Sequence, residues 1–305
     1  MGYNCVVLIK QVPDTKRVTG EAMNPDGTVN RAALPAIFNP EDLYAVELAL
    51  EIRDRFGGGK VTVITMGPPA ACEALRQALY RGADEVVLVT DRRAAASDTL
   101  ATSYILSCAV RKCGQVDVVL CGRQAIDGDT AQVGPQLAEK LNLPQVTYVE
   151  QLQDIKDGVV RIRRNVGNGY EIVEGRLPML LTVLDTAGHP RPAAARRLMK
   201  YKKARAKLEL EAAVTAEMPN ATAEGKATEV ARRLADLQNR GLIIHQWNLD
   251  DIKADLQWCG RDGSPTKVHR IQSVILTGKG HKGILPTDEG VAELVTELIE
   301  DHTIS

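Results

Sequence analysis

Short apolar runs alternate with helical periodicity along the first two thirds of the chain. Cys5-Val6-Val7-Leu8-Ile9 is continuous and mostly β-branched, which predicts a strand buried on both faces. Further strands are predicted at 61–65, 85–90, 116–120, 146–149 and 179–184. Between them Leu43, Val46 and Leu50 recur at helical spacing, as do Leu75, Ala78 and Leu79. Ala101, Tyr104, Ile105 and Cys108 form a third such face, and Leu137, Ala138 and Leu141 a fourth. Gly57-Gly58-Gly59 and Gly82 stop the first two helices, and Ser97 or Asp98 starts the third. Residues 13–38 carry turn signals and predict a long connection holding a small hairpin. Two alternating stretches, 159–163 and 170–173, flank Val166-Gly167-Asn168-Gly169 and predict another hairpin.

Strand and helix alternate for about 140 residues, the signature of an α/β fold with a doubly wound, mostly parallel sheet. Such a Rossmann-like sheet binds ligands at the carboxyl ends of its strands. This unit spans 1–210, and 211–305 form the remainder. After residue 185 the pattern changes. Residues 189–207 hold eight Lys or Arg, 214–225 are polar without an apolar period, and a helix is predicted at 228–237. Residues 245–283 read as irregular, and Val291, Leu294, Val295 and Leu298 predict a last amphipathic helix that must dock on something.

Composition narrows the class. The 305 residues suffice for one large domain with an appendage or for two domains, and 4% aromatics leave the core to Val, Leu, Ile and Ala. A net charge of −1 argues against a chain that binds nucleic acid or membranes by bulk electrostatics. The six cysteines include no C-x-x-C pair, and the five histidines are scattered, so neither a metal set nor a nucleophile–base pair is indicated by spacing. The N-terminal apolar run is a strand rather than a signal peptide, and no stretch has the ~20 apolar residues of a membrane span. The expected location is cytoplasmic. The basic run 191–207 fits a solvated face or a surface for an acidic partner, and with Tyr201 its single aromatic it fits nucleic acid poorly. Gly278-Lys279-Gly280-His281-Lys282-Gly283 fits a solvated loop or a phosphate contact.

The chemistry concentrates at 121–135, Cys121-Gly122-Arg123-Gln124-Ala125-Ile126-Asp127-Gly128-Asp129-Thr130-Ala131-Gln132-Val133-Gly134-Pro135, between a predicted strand and a helix. Such a turn presents backbone N–H groups and the positive end of a helix to a phosphate. It is neither a Walker A loop nor G-x-G-x-x-G. Its two aspartates oppose phosphate charge, so they are expected to cap the helix or to meet ribose hydroxyls. Asn39-Pro40-Glu41-Asp42 is a helix start in which Asn39 fits the N-cap and Pro40 position N1. Asn39 also fits a ligand contact at the same sheet edge, and Met66-Gly67-Pro68 ends the neighbouring strand.

Five stretches in order carry a family resemblance: Val7-Leu8-Ile9-Lys10-Gln11-Val12, Asn39 to Glu47, Met66-Gly67-Pro68, Gly122 to Pro135, and Pro190-Arg191 with Leu198-Met199-Lys200-Tyr201-Lys202-Lys203. On these the chain resembles the β (small) subunit of electron-transfer flavoproteins. The resemblance implies a heterodimer with an α subunit, carrying electrons between flavin dehydrogenases and an acceptor. It implies an adenine nucleotide among Leu8, Ile9, Lys10, Asn39, Asp42, Met66, Gly67, Gln124, Ala125, Asp127, Gly128, Asp129, Thr130, Ala131, Gln132, Val133, Gly134 and Pro135. The form around Gly128 and Ala131 looks like the electron-bifurcating group, in which the pocket holds FAD; in ordinary members it holds AMP. Small residues there leave backbone exposed and room for a diphosphate. That reading brings in NADH as hydride donor, ferredoxin or flavodoxin as low-potential acceptor, and an acyl-CoA dehydrogenase-type flavoenzyme. Ala193-Ala194-Ala195-Arg196-Arg197 lacks the family's leucine anchor, so Ala195, Arg196, Arg197 and Lys200 are the expected docking residues, steering by charge. Residues 211–305 are the expected partner-wrapping arm. An unrelated ATP-using α/β enzyme is the third alternative; it would need a lysine-rich phosphate loop or a catalytic acid–base set, and the chain shows neither.

Overall fold

The computed structural model describes residues 2–14, 34–267 and 283–300. The loop 278–282 and most of the 13–38 connection lie outside them. The ends of that connection pair: β2 (Gln11–Pro13) runs antiparallel to β3 (Ala36–Phe38).

The main sheet has nine strands. They are β1 (Cys5–Leu8), β4 (Val61–Met66), β5 (Glu85–Val89), β6 (Val118–Gly122), β7 (Gln145–Lys156), β8 (Val159–Asn165), β9 (Tyr170–Arg176), β10 (Met179–Val183) and β11 (His245–Trp247). Their spatial order is β11-β5-β4-β1-β6-β10-β7-β8-β9. All neighbours from β11 to β7 are parallel, and β7, β8 and β9 extend the sheet as an antiparallel meander. The chain leaves β1 toward β4 and β5, then crosses back to β6 on the other side of β1. That reversal is the topological switch point, and it sets a crevice between the carboxyl ends of β1 and β6.

Helices cover both faces. Val7, Val63, Leu88, Leu120 and Leu181 face one side, where α1 (Pro40–Arg55) and α2 (Cys72–Arg81) pack. Val6, Leu8, Ile64, Val89, Val119, Cys121 and Leu180 face the other, against α3 (Thr99–Lys112) and α4 (Val133–Leu141). This alternation is the two-residue period of a strand buried on both sides. Leu249, Ile252 and Cys259 complete the second layer.

Several boundaries differ from the sequence expectation. β6 starts two residues later and runs through Gly122. β7 has 12 residues instead of four, because its buried positions Val146, Val149, Leu152 and Ile155 are three apart. Register shifts at Val149/Gln151 and Leu152/Asp154 absorb the mismatch with the two-residue pleat. β11 lies inside the stretch read as irregular; it has three half-buried residues and no apolar run to announce it. α6 (Lys207–Glu217) extends into the polar tract 214–225 and buries only Leu210 and Val214. It packs against α7 (Ala223–Asn239) around Leu210, Val214, Val230, Leu237 and Leu242.

α5 (Ala195–Tyr201) is a short helix with no buried residue. α8 (Asp288–Glu300) exposes Val291, Leu294 and Val295 of the apolar face anticipated for it, and Ile299 as well, while Leu298 is half-buried. Among the described residues no helix is long and apolar enough to cross a membrane, and no cluster of His, Cys, Asp or Glu has metal-binding geometry.

Candidate functional site

The start of α1 organises the crevice. Asn39 is fully buried, yet its side chain caps nothing. Its Nδ2 donates to the Gln124 carbonyl at 2.9 Å and its Oδ1 accepts the Ile126 N–H at 3.2 Å. The N-cap expectation is thus corrected: the side chain clamps the 124–126 loop, since an amide can both donate and accept. Glu41 continues the contact, with Oε1 on the Arg123 guanidinium at 2.8 Å and Oε2 on the Gln124 N–H at 3.0 Å.

Asp42 ties the two strand ends together. Its Oδ2 accepts the Lys10 N–H at 2.7 Å and its Oδ1 the Gly122 N–H at 3.1 Å. Burial pushes its carboxyl up to about 7, against N–H donors on Asn39, Lys10 and Gly122 that pull it down. Gly122 permits the approach, because a Cβ there would stand 2.5 Å from Asp42 Oδ1.

In front of this frame lies a cavity of about 500 Å³. Leu8, Ile9, Lys10, Asp42, Met66 and Gly67 line it, together with Gln124, Ala125 and 127–134 of the loop. Two expected site residues do not: Asn39 sits behind the loop, and Pro135 borders a separate cavity of about 350 Å³ beside Thr147 and Arg164. A far wall that sequence reasoning missed is supplied by 94–99, Thr102 and Leu106. No local motif marks it; only its place after β5, next but one to β1, brings it there. Cys121 also lines the cavity, and burial drives its thiol far above the ordinary range, so it is no nucleophile.

The loop's aspartates do not cap α4. Asp127 accepts two hydrogen bonds from the Lys10 ammonium, at 2.8 and 2.7 Å, and Asp129 accepts one from Gln124 Nε2 at 2.9 Å. The Lys10 pair offsets part of the negative charge that would oppose a phosphate. Asp129 and Ala131 have φ of +49° and +52°, the left-handed region that side chains avoid at a cost of roughly 1–2 kcal/mol each. Gly128, expected to supply the loop's freedom, is not the strained residue; a Cβ on it would meet nothing within 4 Å. Gly134 serves packing: its Cβ would lie 2.8 Å from Thr182 Cγ2 and 2.9 Å from Cys121 Sγ, so α4 rests directly on β6 and β10. The Gln132 side chain does not cap α4, and the N–H groups of Gln132, Val133 and Gly134 at its first turn have no acceptor within the helix.

A cavity of this size with an apolar floor of Leu8, Met66, Ala94 and Leu106 and uncapped N–H groups at one end fits an adenine nucleotide. The donor set is chemically right for phosphate, and the floor is right for a purine ring.

The expected docking residues fall in α5 rather than in a loop. Arg197 is held within the chain, donating from Nε to the Leu79 carbonyl and from Nη2 to the Ala83 carbonyl at 2.7 and 2.6 Å. These are acceptors at and just beyond the end of α2. Lys200 lies 4.8 Å over the Tyr201 ring, while Leu198 and Met199 are exposed.

A switch-point crevice on a mostly parallel sheet flanked by helices defines the fold as an α/β Rossmann-like type. The family model for the electron transfer flavoprotein domain matches residues 26–217, and the chain belongs to that family. It is 45% identical over 302 residues to the electron transfer flavoprotein subunit beta of Thermoanaerobacterium thermosaccharolyticum, covering 99% of this chain and 100% of that one. It is 38% identical over 300 residues to the caffeyl-CoA reductase-Etf complex subunit CarD of Acetobacterium woodii, covering 98% and 99%. The acryloyl-CoA reductase electron transfer subunit gamma of Anaerotignum propionicum is 39% identical over 302 residues, covering 98% of each chain. The chain is thus a homologue of electron transfer flavoprotein β subunits.

Proposed function

We propose that this chain is the β subunit of an electron-transfer flavoprotein heterodimer and holds FAD in the crevice at the carboxyl ends of β1, β4 and β6. The observation that carries the reading is the 124–134 loop. It is clamped from behind by Asn39 and Glu41 and bears two left-handed residues ahead of an uncapped helix. Backbone held in that strained form is typical of ligand-binding turns.

The Gln132, Val133 and Gly134 N–H groups would receive the diphosphate, Gln124 and Asp129 would face ribose hydroxyls, and Leu8, Met66, Ala94 and Leu106 would enclose the adenine. The flavin, when bound, supplies hydride uptake from NADH and one-electron transfer to ferredoxin or flavodoxin and, through an α-subunit FAD, to an acyl-CoA dehydrogenase-type flavoenzyme. This chain's part is to bind, to orient and to exclude water. The names of two relatives support the choice of partner, since each belongs to a reductase of a CoA thioester. Arg196 and Lys200 on α5, beside the exposed Met199, would steer the dehydrogenase.

The alternative is an ordinary β subunit with AMP as a structural ligand. The absorption spectrum of the copurified heterodimer, with nucleotide analysis after denaturation, separates the two. Two flavins per αβ pair and no AMP are expected. One flavin with one AMP would overturn the FAD assignment, and no adenine nucleotide at all would overturn the pocket.

A further inference from the structure

The far wall of the crevice is fastened from an unexpected direction. Residues 94–99 line the cavity, and the segment touching them from behind is Gly260 to Thr266, more than 160 positions later. The Gly260 N–H donates to Ser97 Oγ at 3.0 Å, and that hydroxyl donates in turn to the Ala94 carbonyl at 2.8 Å. The Asp98 N–H donates to Ser264 Oγ at 2.9 Å, and that hydroxyl donates to the Gly260 carbonyl at 2.6 Å. Both hydroxyls accept from one segment's backbone and donate to a carbonyl, so each is satisfied in both directions. Ser264 is 3% exposed, where an unpaired hydroxyl would be costly.

Asp98 divides its carboxylate between two tasks. Oδ1 accepts the Ala101 N–H at 2.9 Å as the N-cap of α3, and Oδ2 accepts the Thr266 N–H at 2.9 Å. Gly260 has a φ of +64°, and a Cβ there would lie 2.1 Å from the Arg93 carbonyl oxygen, so only glycine lets the two backbones meet. The wall is also joined to the motif loop, because Thr99 Oγ1 donates to Gln132 Oε1 at 2.9 Å. Gln132 precedes the first turn of α4, where the free N–H groups stand.

We infer that the 260–266 segment is a strap that positions the nucleotide pocket, with Ser264 and Asp98 as its two fasteners. The inference rests on the nucleotide reading of the crevice. Among the described residues no hydrogen bond joins the strap to the 124–134 loop directly. The strap acts by holding 94–99 closed against the cavity and, through Thr99, by orienting Gln132. The wall carries a left-handed alanine, Ala96 at a φ of +59°, which a detached loop would relax. Loosening the strap therefore opens the pocket without unfolding the sheet, since the parallel strands do not depend on it. The strap follows β11 after the intervening 248–259 segment, which makes this part of the C-terminal region a part of the pocket's construction.

The test uses the full chain with its copurified partner and nucleotide. Ser264→Ala removes the hydroxyl that joins Asp98 to Gly260, and Asp98→Asn keeps an oxygen for the α3 cap while removing the second carboxylate acceptor. Release of bound nucleotide on dilution is followed by fluorescence, beside the unfolding midpoint of the nucleotide-free protein. Each variant is expected to release nucleotide about tenfold faster, equivalent to about 1.4 kcal/mol, with the nucleotide-free midpoint little changed. Unchanged release with a lowered midpoint would make the strap mere packing and overturn the inference. A wild-type protein that retains neither FAD nor AMP would overturn it by a different route, through the pocket reading itself. Should the variants fail to fold, amide exchange on the wild type decides. Nucleotide addition is expected to slow exchange at Asp98, Gly260 and Thr266, and no change at these amides would refute the strap.

Discussion

Asp42 accepts the Lys10 backbone N–H at 2.7 Å, joining the first turn of α1 to the carboxyl end of β1; its other oxygen holds Gly122 at the end of β6. The Asp42 carboxyl group is thus the cross-piece of the crevice. Asp42→Asn would set an amide N–H against one of two backbone N–H donors. A loss of roughly 2–4 kcal/mol is expected, read as a fall in the denaturation midpoint, together with loss of bound nucleotide. An unchanged midpoint would remove Asp42 from this role.

The same residue predicts a pH dependence. Folded Asp42 keeps its proton up to about 7, and the unfolded chain releases it near the usual 3.8. Between these values the native state binds more protons, so this residue's contribution to stability falls as pH rises from about 4 to about 7. Denaturation of wild type and Asp42→Asn at pH 5 and pH 8 isolates it, because the remaining groups are common to both. The wild-type advantage should shrink at the higher pH, and a constant difference would contradict the assignment.

Asn39 separates a cap from a clamp. Asp is as good an N-cap as Asn. It has no donor for the Gln124 carbonyl, which Asn39 Nδ2 meets at 2.9 Å. Asn39→Asp is therefore expected to cost roughly 1–3 kcal/mol and to speed amide exchange around Ile126. Wild-type stability in this variant would return Asn39 to a capping role.

Two glycines of the motif should behave oppositely. Gly134→Ala drives a methyl to 2.8 Å from Thr182 Cγ2 and 2.9 Å from Cys121 Sγ, and roughly 1–3 kcal/mol of overpacking is expected. Gly128→Ala meets open space, so its stability should stay within about 0.5 kcal/mol of wild type. Thermal unfolding checks both, and any loss of nucleotide in the Gly128 variant then reports on the ligand alone.

β11 is held at the sheet edge by a side-chain contact from His245 to Glu85 as well as by its ladder. Glu85 faces His245 at 3.1 Å and also pairs with Lys60. The His245 hydrogen bond, then Lys60, hold the Glu85 carboxyl down at about 2, from a usual 4.5. Its contribution is present above about 4.5 and is lost as pH falls toward about 2. Glu85→Gln should flatten the acid limb of the stability curve over that window, and an identical acid limb would argue that β11 docks without it.

Much of the fold is legible locally. Continuous apolar runs named β1, β4, β5, β6 and β10, since a strand buried on both faces needs no polar partner positions. The same reading stopped at Val149 in β7, because two register shifts replace the two-residue period with a three-residue one. β11 was invisible, because parallel pairing with β5 rather than apolarity makes it a strand.

The sequence by itself determined the alternation of strand and helix, the doubly wound class, and the loop between a strand and a helix at 121–135, all of them consequences of short-range periodicity and turn chemistry. The tertiary structure alone decided the work of each polar residue there. Asn39 clamps instead of capping, Asp42 ties two strand ends together as it lines the cavity, Asp127 pairs with Lys10, and 94–99 with 260–266 complete the wall. Those outcomes rest on hydrogen bonds between residues 32 to 168 positions apart, whose partners are chosen by the packing of α1, α3 and the C-terminal segment on the sheet. No local pattern encodes such a pair, because a buried donor answers to the nearest acceptor in space.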